Sequence, residues 1–333
     1  MININNIIMI NKMKINKLFK NINFFYKNNF KNKNDKCNKI REKIVYLIIN
    51  NEIPNIYYEY STKWTFINNK IHKFINNNLL NNQKINNNLL NNQTINNKDI
   101  SYKCILKGGR KFNYDFDLII NNIKYNTEYK YKLELKYNVD NIIDCPQFVS
   151  PMYPSSYLSN SYENFYYNNC ISLISELYNL SIPTYNDYIK EIHKNKPKNI
   201  MREYQIQYYK GSKGSSKFTK KEKDIIIYNK TKEIAKKSIS DFILFEETKL
   251  DIQKLSDYLI NSQKNKVYML INKGNFTYQK MNINNYNLDK NYCKKTKNSF
   301  IVKTNSGIKL NILLRWKNGN GIAFPAFQIK IIK

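Results

Sequence analysis

Two carboxylates one residue apart, Asp115 and Asp117 in YDFDLII, precede two copies of Glu-x-Lys in NTEYKYKLELKY, Glu128 with Lys130 and Glu134 with Lys136. Side chains two residues apart on a strand share a face, so each copy sets a carboxylate and an ammonium on one side of the chain. Carboxylates converging on one point make a hard-oxygen site for Mg²⁺, with Mn²⁺ as a substitute. Such a metal is held by one or two carboxylates together with water and substrate phosphate. It polarises a phosphodiester, lowers the pKa of bound water and offsets charge on the leaving oxygen. A lysine two residues beyond the glutamate can orient or deprotonate the attacking water and stabilise the developing charge. The competing reading is a solvated charged face on a hairpin, because Glu-x-Lys alone carries little information.

These residues need strands to position them. Period-two alternation predicts three antiparallel strands over 101–107, 112–120 and 127–137, with Gly108-Gly109 separating the first two. Two registers are open for the second hairpin. A turn at Tyr125-Asn126 sets Asp117 opposite Glu134 and Asp115 opposite Lys136, with Phe116, Leu118 and Ile120 forming an apolar layer against Leu135, Leu133 and Tyr131. A turn at Asn121-Asn122 sets Asp115 against Glu128 and Asn113 against Lys130. It has better turn chemistry but buries less. Apolar flanks favour LELK over TEYK.

Helical spacing of Ile40, Ile44, Leu47 and Ile48 predicts a helix over 34–51. A second, carrying an aromatic and aliphatic stripe, is expected over 157–180. Shorter helices are expected at 185–194, 230–244 and 250–261, a strand at 266–271, and an alternating, hairpin-like end over 300–332. Residues 1–34 are basic and Asn-rich and are expected to be a disordered leader. INNNLLNNQ occurs twice within 75–98, which reads as a low-complexity insert. The loop 209–223 is rich in Gly, Ser and Lys; its spacing fails the phosphate-cradling pattern G-x-x-x-x-G-K-[ST], so it reads as a flexible basic connector.

The formal net charge is +30, from 55 Lys+Arg against 25 Asp+Glu. An excess of this size seeks a polyanion, most commonly nucleic acid, although an AT-rich coding sequence alone would enrich lysine. Arg110 and Lys111 follow the glycine pair and could clamp a phosphate. Arg315, Trp316 and Lys317 set an aromatic between two cations, which suits base stacking and backbone contact. The five cysteines are isolated, which excludes a zinc ribbon and a disulfide scaffold and points to an intracellular, reducing compartment. Two histidines exclude a His-rich metal centre. No apolar run approaches the length of a membrane span.

YDFDLII followed by LELKYNVDNIIDCPQF resembles the PD-(D/E)XK nuclease superfamily, which has the restriction-endonuclease-like fold. GGRKFNYDF, LELKYN and PQF, with the terminal LLRWKNGNGIAFPAFQI, are similar to uncharacterised proteins of large DNA viruses assigned to that fold. The resemblance implies an α/β class: a restriction-endonuclease-like core whose mixed sheet contains an antiparallel meander and is flanked by helices. It makes residues 35–333 one nuclease-like domain with a C-terminal β-rich segment, 264–333. The implied activity is Mg²⁺-dependent endonucleolytic hydrolysis of DNA. By this resemblance Asp117 binds the metal, Glu134 is the second metal ligand and Lys136 is the catalytic lysine. Gln147 matches a glutamine that some branches place beside the site, and Glu42 is the candidate for a glutamate that some members supply from a helix. Asp115, Glu128 and Lys130 stand as substitutes, and Phe116 takes the place of the proline that often precedes the aspartate. Cutting both strands with one centre implies a homodimer, in the nucleus, the cytoplasm or a viral factory. The rival readings are a non-catalytic nucleic-acid-binding protein on this fold and a basic virion or structural protein.

Overall fold

Apolar residues recurring every three to four positions coil 34–49 into a helix whose Ile44, Val45, Leu47 and Ile48 are buried. The computed structural model describes residues 19–26, 34–80, 100–108, 112–123, 126–150, 152–194, 196–244 and 247–332. In chain order, helices α1 (Asn34–Ile49), α2 (Asn55–Tyr60) and α3 (Thr62–Ile75) lead into the meander β1 (Ile100–Leu106), β2 (Phe116–Asn122) and β3 (Thr127–Tyr137). The short β4 (Gln147–Phe148) follows, then α4 (Tyr162–Tyr178), α5 (Tyr185–Glu191), α6 (Asn199–Lys210), α7 (Glu222–Leu244) and α8 (Ile252–Gln263). Strands β5 (Lys266–Asn272), β6 (Asn275–Gln279), β7 (Leu288–Lys295), β8 (Ser299–Thr304), β9 (Lys309–Asn318) and β10 (Ala323–Ile332) complete the chain. They form two compact units, Met1–Ile142 with Asn265–Met281, and Ile143–Lys264 with Asn282–Lys333. The C-terminal β-rich segment therefore serves both units. Among the described residues no helix is long and apolar enough to cross a membrane, and none of the five cysteines is in a disulfide.

The first unit is a mixed sheet of order β1-β2-β3-β5-β6, antiparallel except where β3 and β5 run parallel. One face packs on the helices: Phe116, Leu118, Ile120 and Leu133 meet Ile44, Ile48, Trp64, Ile67 and Ile71 in a single cluster. Each such side chain contributes roughly 1.5–3 kcal/mol on burial. Part of the expected leader joins this core. Ile22–Phe25 forms a 3₁₀ turn with Ile22 and Phe25 buried, and Phe19 accepts a hydrogen bond at its carbonyl from Trp64 Nε1 at 3.3 Å. The expected insert likewise begins inside the fold. Asn76–Leu80 is a π-helical turn with Leu79 and Leu80 buried, and Tyr131 OH donates to the Leu79 carbonyl at 3.2 Å. The remainder of the insert lies outside the described residues.

The second unit is an antiparallel sheet of order β4-β10-β9-β8-β7 with helices α4 to α8. Alternation along β9 turns Leu310, Ile312, Leu314 and Trp316 into the core and leaves Lys309 and Arg315 exposed. Trp316 is therefore not a surface stacking platform. Its ring lies 5.6 Å from Tyr162 and 5.0 Å from Tyr166, and its Nε1 donates to Tyr162 OH at 2.9 Å. Gly321 permits this close packing, since a Cβ there would lie 1.8 Å from Tyr166 OH. The loop 209–223 is held by its own hydrogen bonds rather than being a loose connector. Thr219 N–H donates to the Lys210 carbonyl at 3.0 Å and Phe218 N–H to the Ser215 carbonyl at 3.2 Å.

Candidate active site

The hairpin adopts neither expected register. Asn122 pairs with Thr127 as the last rung before the turn, and Asn126 takes a left-handed φ of 48°, a conformation asparagine tolerates better than most residues. This turn sets Asp117 opposite Lys132 and Phe116 opposite Leu133. The next step brings Asp115, rather than Asp117, beside Glu134. Asp115 is fixed there at both ends: its N–H donates to the Leu133 carbonyl at 3.0 Å, and its Oδ2 accepts from Leu135 N–H at 2.8 Å.

Asp117 goes elsewhere. Its side chain is buried and pairs with Lys107 at 3.1 Å and Lys130 at 3.3 Å. Burial alone would raise this carboxyl, but hydrogen bonds from Lys107, Tyr114 and Lys130 outweigh it and hold the group below its usual range. Lys130 is thus a partner of Asp117, and Glu128 lies opposite Asn121 on an exposed stretch of β3. Six residues of strand separate Glu128 from Glu134, about 20 Å.

Glu134 sits between two ammonium groups. Lys136 pairs with Oε1 and Lys266 with Oε2. Lys266 opens β5 opposite Lys132; its side chain is only 1% exposed and also donates to the Asn113 carbonyl. Burial would raise the Glu134 carboxyl, yet Lys266 and Lys136 outweigh it and keep it low. Burial in turn draws Lys266 below the ordinary lysine range, against the pull of Glu134. Asp115 has the opposite balance: burial, then the charges of Glu134 and Glu42, push it up to about 7, against Leu135 N–H and Lys136.

Helix α1 supplies the far wall. Asn38, Arg41 and Glu42 are three and four residues apart, so they share one side of the helix. With Asp115, Glu134, Leu135, Lys136, Tyr137 and Ile271 they line a cleft of about 280 Å³. Arg41 donates to Asn38 Oδ1 at 2.8 Å and stacks its guanidinium 3.3 Å over the Tyr137 ring.

The cleft thus gathers Asp115, Glu134, Lys136 and Glu42. Gln147 belongs to the second unit, where it pairs with Ile329 of β10 and accepts from Gln263 Nε2 at 3.3 Å. Arg110 and Lys111 lie outside the described residues. Arg315 and Lys317 face away from Trp316, beside Phe148. The sequence reading missed Lys266 and Arg41. The signal for Lys266 was a lysine opening the otherwise apolar KVYMLI, since a charge next to a buried strand needs a counter-charge.

Among the described residues no group of three or more His, Cys, Asp or Glu forms a metal cage. What the cleft offers is the carboxylates of Asp115, Glu134 and Glu42, with Asp115 raised by burial first and by the charges of Glu134 and Glu42 second. A hard divalent cation held here by one or two carboxylates would take the rest of its shell from water and substrate. No protein-family model and no curated protein matches this chain.

Proposed function

We propose that the chain is a metal-dependent phosphodiesterase acting on DNA, with a restriction-endonuclease-like core in its first unit and Asp115, Glu134 and Lys136 as its centre. One observation carries this reading: the hairpin register sets backbone-anchored Asp115 beside Glu134, two residues before Lys136, at the wall of a cleft. In it Asp115 replaces Asp117 in the role that the family resemblance assigned.

Asp115 and Glu134 would hold Mg²⁺ or Mn²⁺, and Glu42, which lines the same cleft, would be a further carboxylate of that site. The bound metal would polarise the scissile phosphate and acidify a water. Lys136 supplies a donor beside Glu134, able to orient the attacking water and stabilise charge on the phosphate oxygens. Lys266 keeps Glu134 ionised from the buried side. Arg41, stacked on Tyr137, is a fixed cation at the rim. Two copies would let one centre act on each strand of a duplex, so a dimer on DNA belongs to this reading.

The test is cleavage of plasmid and oligonucleotide DNA with Mg²⁺, Mn²⁺ or EDTA. Glu134→Gln, Lys136→Ala and Asp115→Asn should each lose at least about 10²-fold in rate, while Lys130→Ala keeps most of it. Loss with Asp117→Asn but not with Asp115→Asn would overturn the assignment. A second reading, a binding protein without catalysis, draws on the two lysines that already neutralise Glu134 without a metal. Absence of cleavage by every form, with DNA still bound, would favour it.

A further inference from the structure

The second unit carries a basic surface that the cleft of the first does not use. Residues 282–333 hold nine lysines and one arginine against a single carboxylate, Asp289. By contrast, α7 mixes Glu222, Asp224, Glu233 and Asp241 among its lysines, so lysine enrichment of the whole chain does not explain the missing acids. Strand alternation then sorts these cations. Register places Lys294, Lys303, Lys309, Arg315, Lys317 and Lys330 on the sheet face opposite buried Phe300, Leu310, Ile312 and Leu314. Lys294, Lys309, Arg315 and Lys330 are exposed.

Two features make this face unusual. Lys303 lies directly opposite Lys309 across β8 and β9, and like charges in that position destabilise a sheet. Half-buried aromatics are interleaved with the cations: Lys317 Nζ lies 4.6 Å from the centre of the Phe148 ring, and Lys303 Nζ 4.2 Å from that of Tyr292. Arg315 is braced by Gln328, to whose Oε1 it donates at 3.0 Å. From Lys309 to Lys317 the strand runs about 26 Å, and four strands span about 14 Å. That length matches about eight nucleotides of a strand rising 3.4 Å each.

We infer that this face of the second sheet binds the phosphodiester backbone of nucleic acid, independently of any hydrolysis in the first unit. Its row of cations meets phosphates, and the counterions condensed on the nucleic acid are released on binding. The test measures anisotropy of labelled single-stranded and duplex oligonucleotides in EDTA, as a function of salt, so that cleavage plays no part. Lys309→Ser/Arg315→Ser/Lys330→Ser should flatten the slope of log K against log[salt] by about 2 to 3, and the form that the unaltered protein binds more tightly at one salt concentration is the form the face prefers. The charge-matched control Lys213→Ser/Lys217→Ser/Lys220→Ser, on exposed residues of the loop before α7, should change it by less than half as much; Lys232 and Lys236 are left intact because they line a pocket with Arg315. Lysine acetylation of the unaltered protein gives a second readout: Lys309 and Lys330 should be protected by oligonucleotide. Equal loss in both triple variants, an unchanged slope in the first, or lost binding to phosphatidylserine vesicles with DNA affinity retained would overturn the proposal.

Discussion

Asp115→Asn should stabilise this protein, and increasingly so as the pH rises. The carboxyl is pushed up to about 7 by burial and by Glu134 and Glu42, from an ordinary value of 3.8. A folded-state pKa above the unfolded one means that the fold favours the protonated acid. Stability is then fully present below about pH 4 and falls as the pH rises through 7. With those two values, the cost of ionisation is about 1.5 kcal/mol at pH 5 and about 4 kcal/mol at pH 8. Asparagine keeps an oxygen for Leu135 N–H and removes the titration. Urea unfolding in EDTA should therefore show the advantage of the variant growing by about 2–3 kcal/mol between pH 5 and pH 8. Millimolar Mg²⁺ should shrink that gap at pH 8 by stabilising only the unaltered protein. A stability difference that is flat with pH would refute the reasoning, because it would mean that Asp115 is neither buried nor crowded by the other carboxylates.

Three further outcomes follow from the geometry. Lys266→Met removes the buried counter-charge of Glu134 and should cost about 3 kcal/mol in urea unfolding, with Mg²⁺ raising Tm more in the variant than in the parent. Asp117→Asn should cost about 1–3 kcal/mol at pH 7. Because the Asp117 carboxyl is held low, its contribution is present above about pH 4 and lost as the pH falls through the lowered folded-state value, so the gap between variant and parent should narrow in acid. Gly321→Ala should cost more than about 3 kcal/mol, since φ there is +78° and the new Cβ would lie 1.8 Å from Tyr166 OH. Adding Tyr166→Phe should recover less than half, because the ring Cζ is still only 2.4 Å away.

Strand alternation was legible in the sequence, and with it the faces: Asp115, Asp117, Glu134 and Lys136 were expected on one side of the meander. Register was not, because face depends only on period two, whereas register depends on where the turn closes. Both expected turns were two-residue loops; in the observed hairpin the last rung pairs Asn122 with Thr127, moving Asp117 from Glu134 to Lys132. The same alternation, applied to Arg315, Trp316 and Lys317, already forbade a shared surface for all three, since neighbours on a strand face opposite ways. Helix α1 was legible from its apolar spacing, but not which carboxylate Glu42 would approach, which depends on tertiary packing. Lys266 was legible only as an anomaly, since its partner lies far away in sequence.

The parallel pairing of β3 with β5 has a consequence for synthesis. All of Ile143–Lys264, roughly 120 residues, must leave the ribosome between the two strands. At about 5–20 residues per second, β3 waits on the order of 6 to 24 s for its neighbour. During that time its open edge is a template for pairing with other nascent chains. Lys130, Lys132 and Lys136, spaced along that strand, are the kind of charge that discourages such pairing. Of these, only Lys136 lines the cleft, so the charge that guards the open edge reaches well beyond the site.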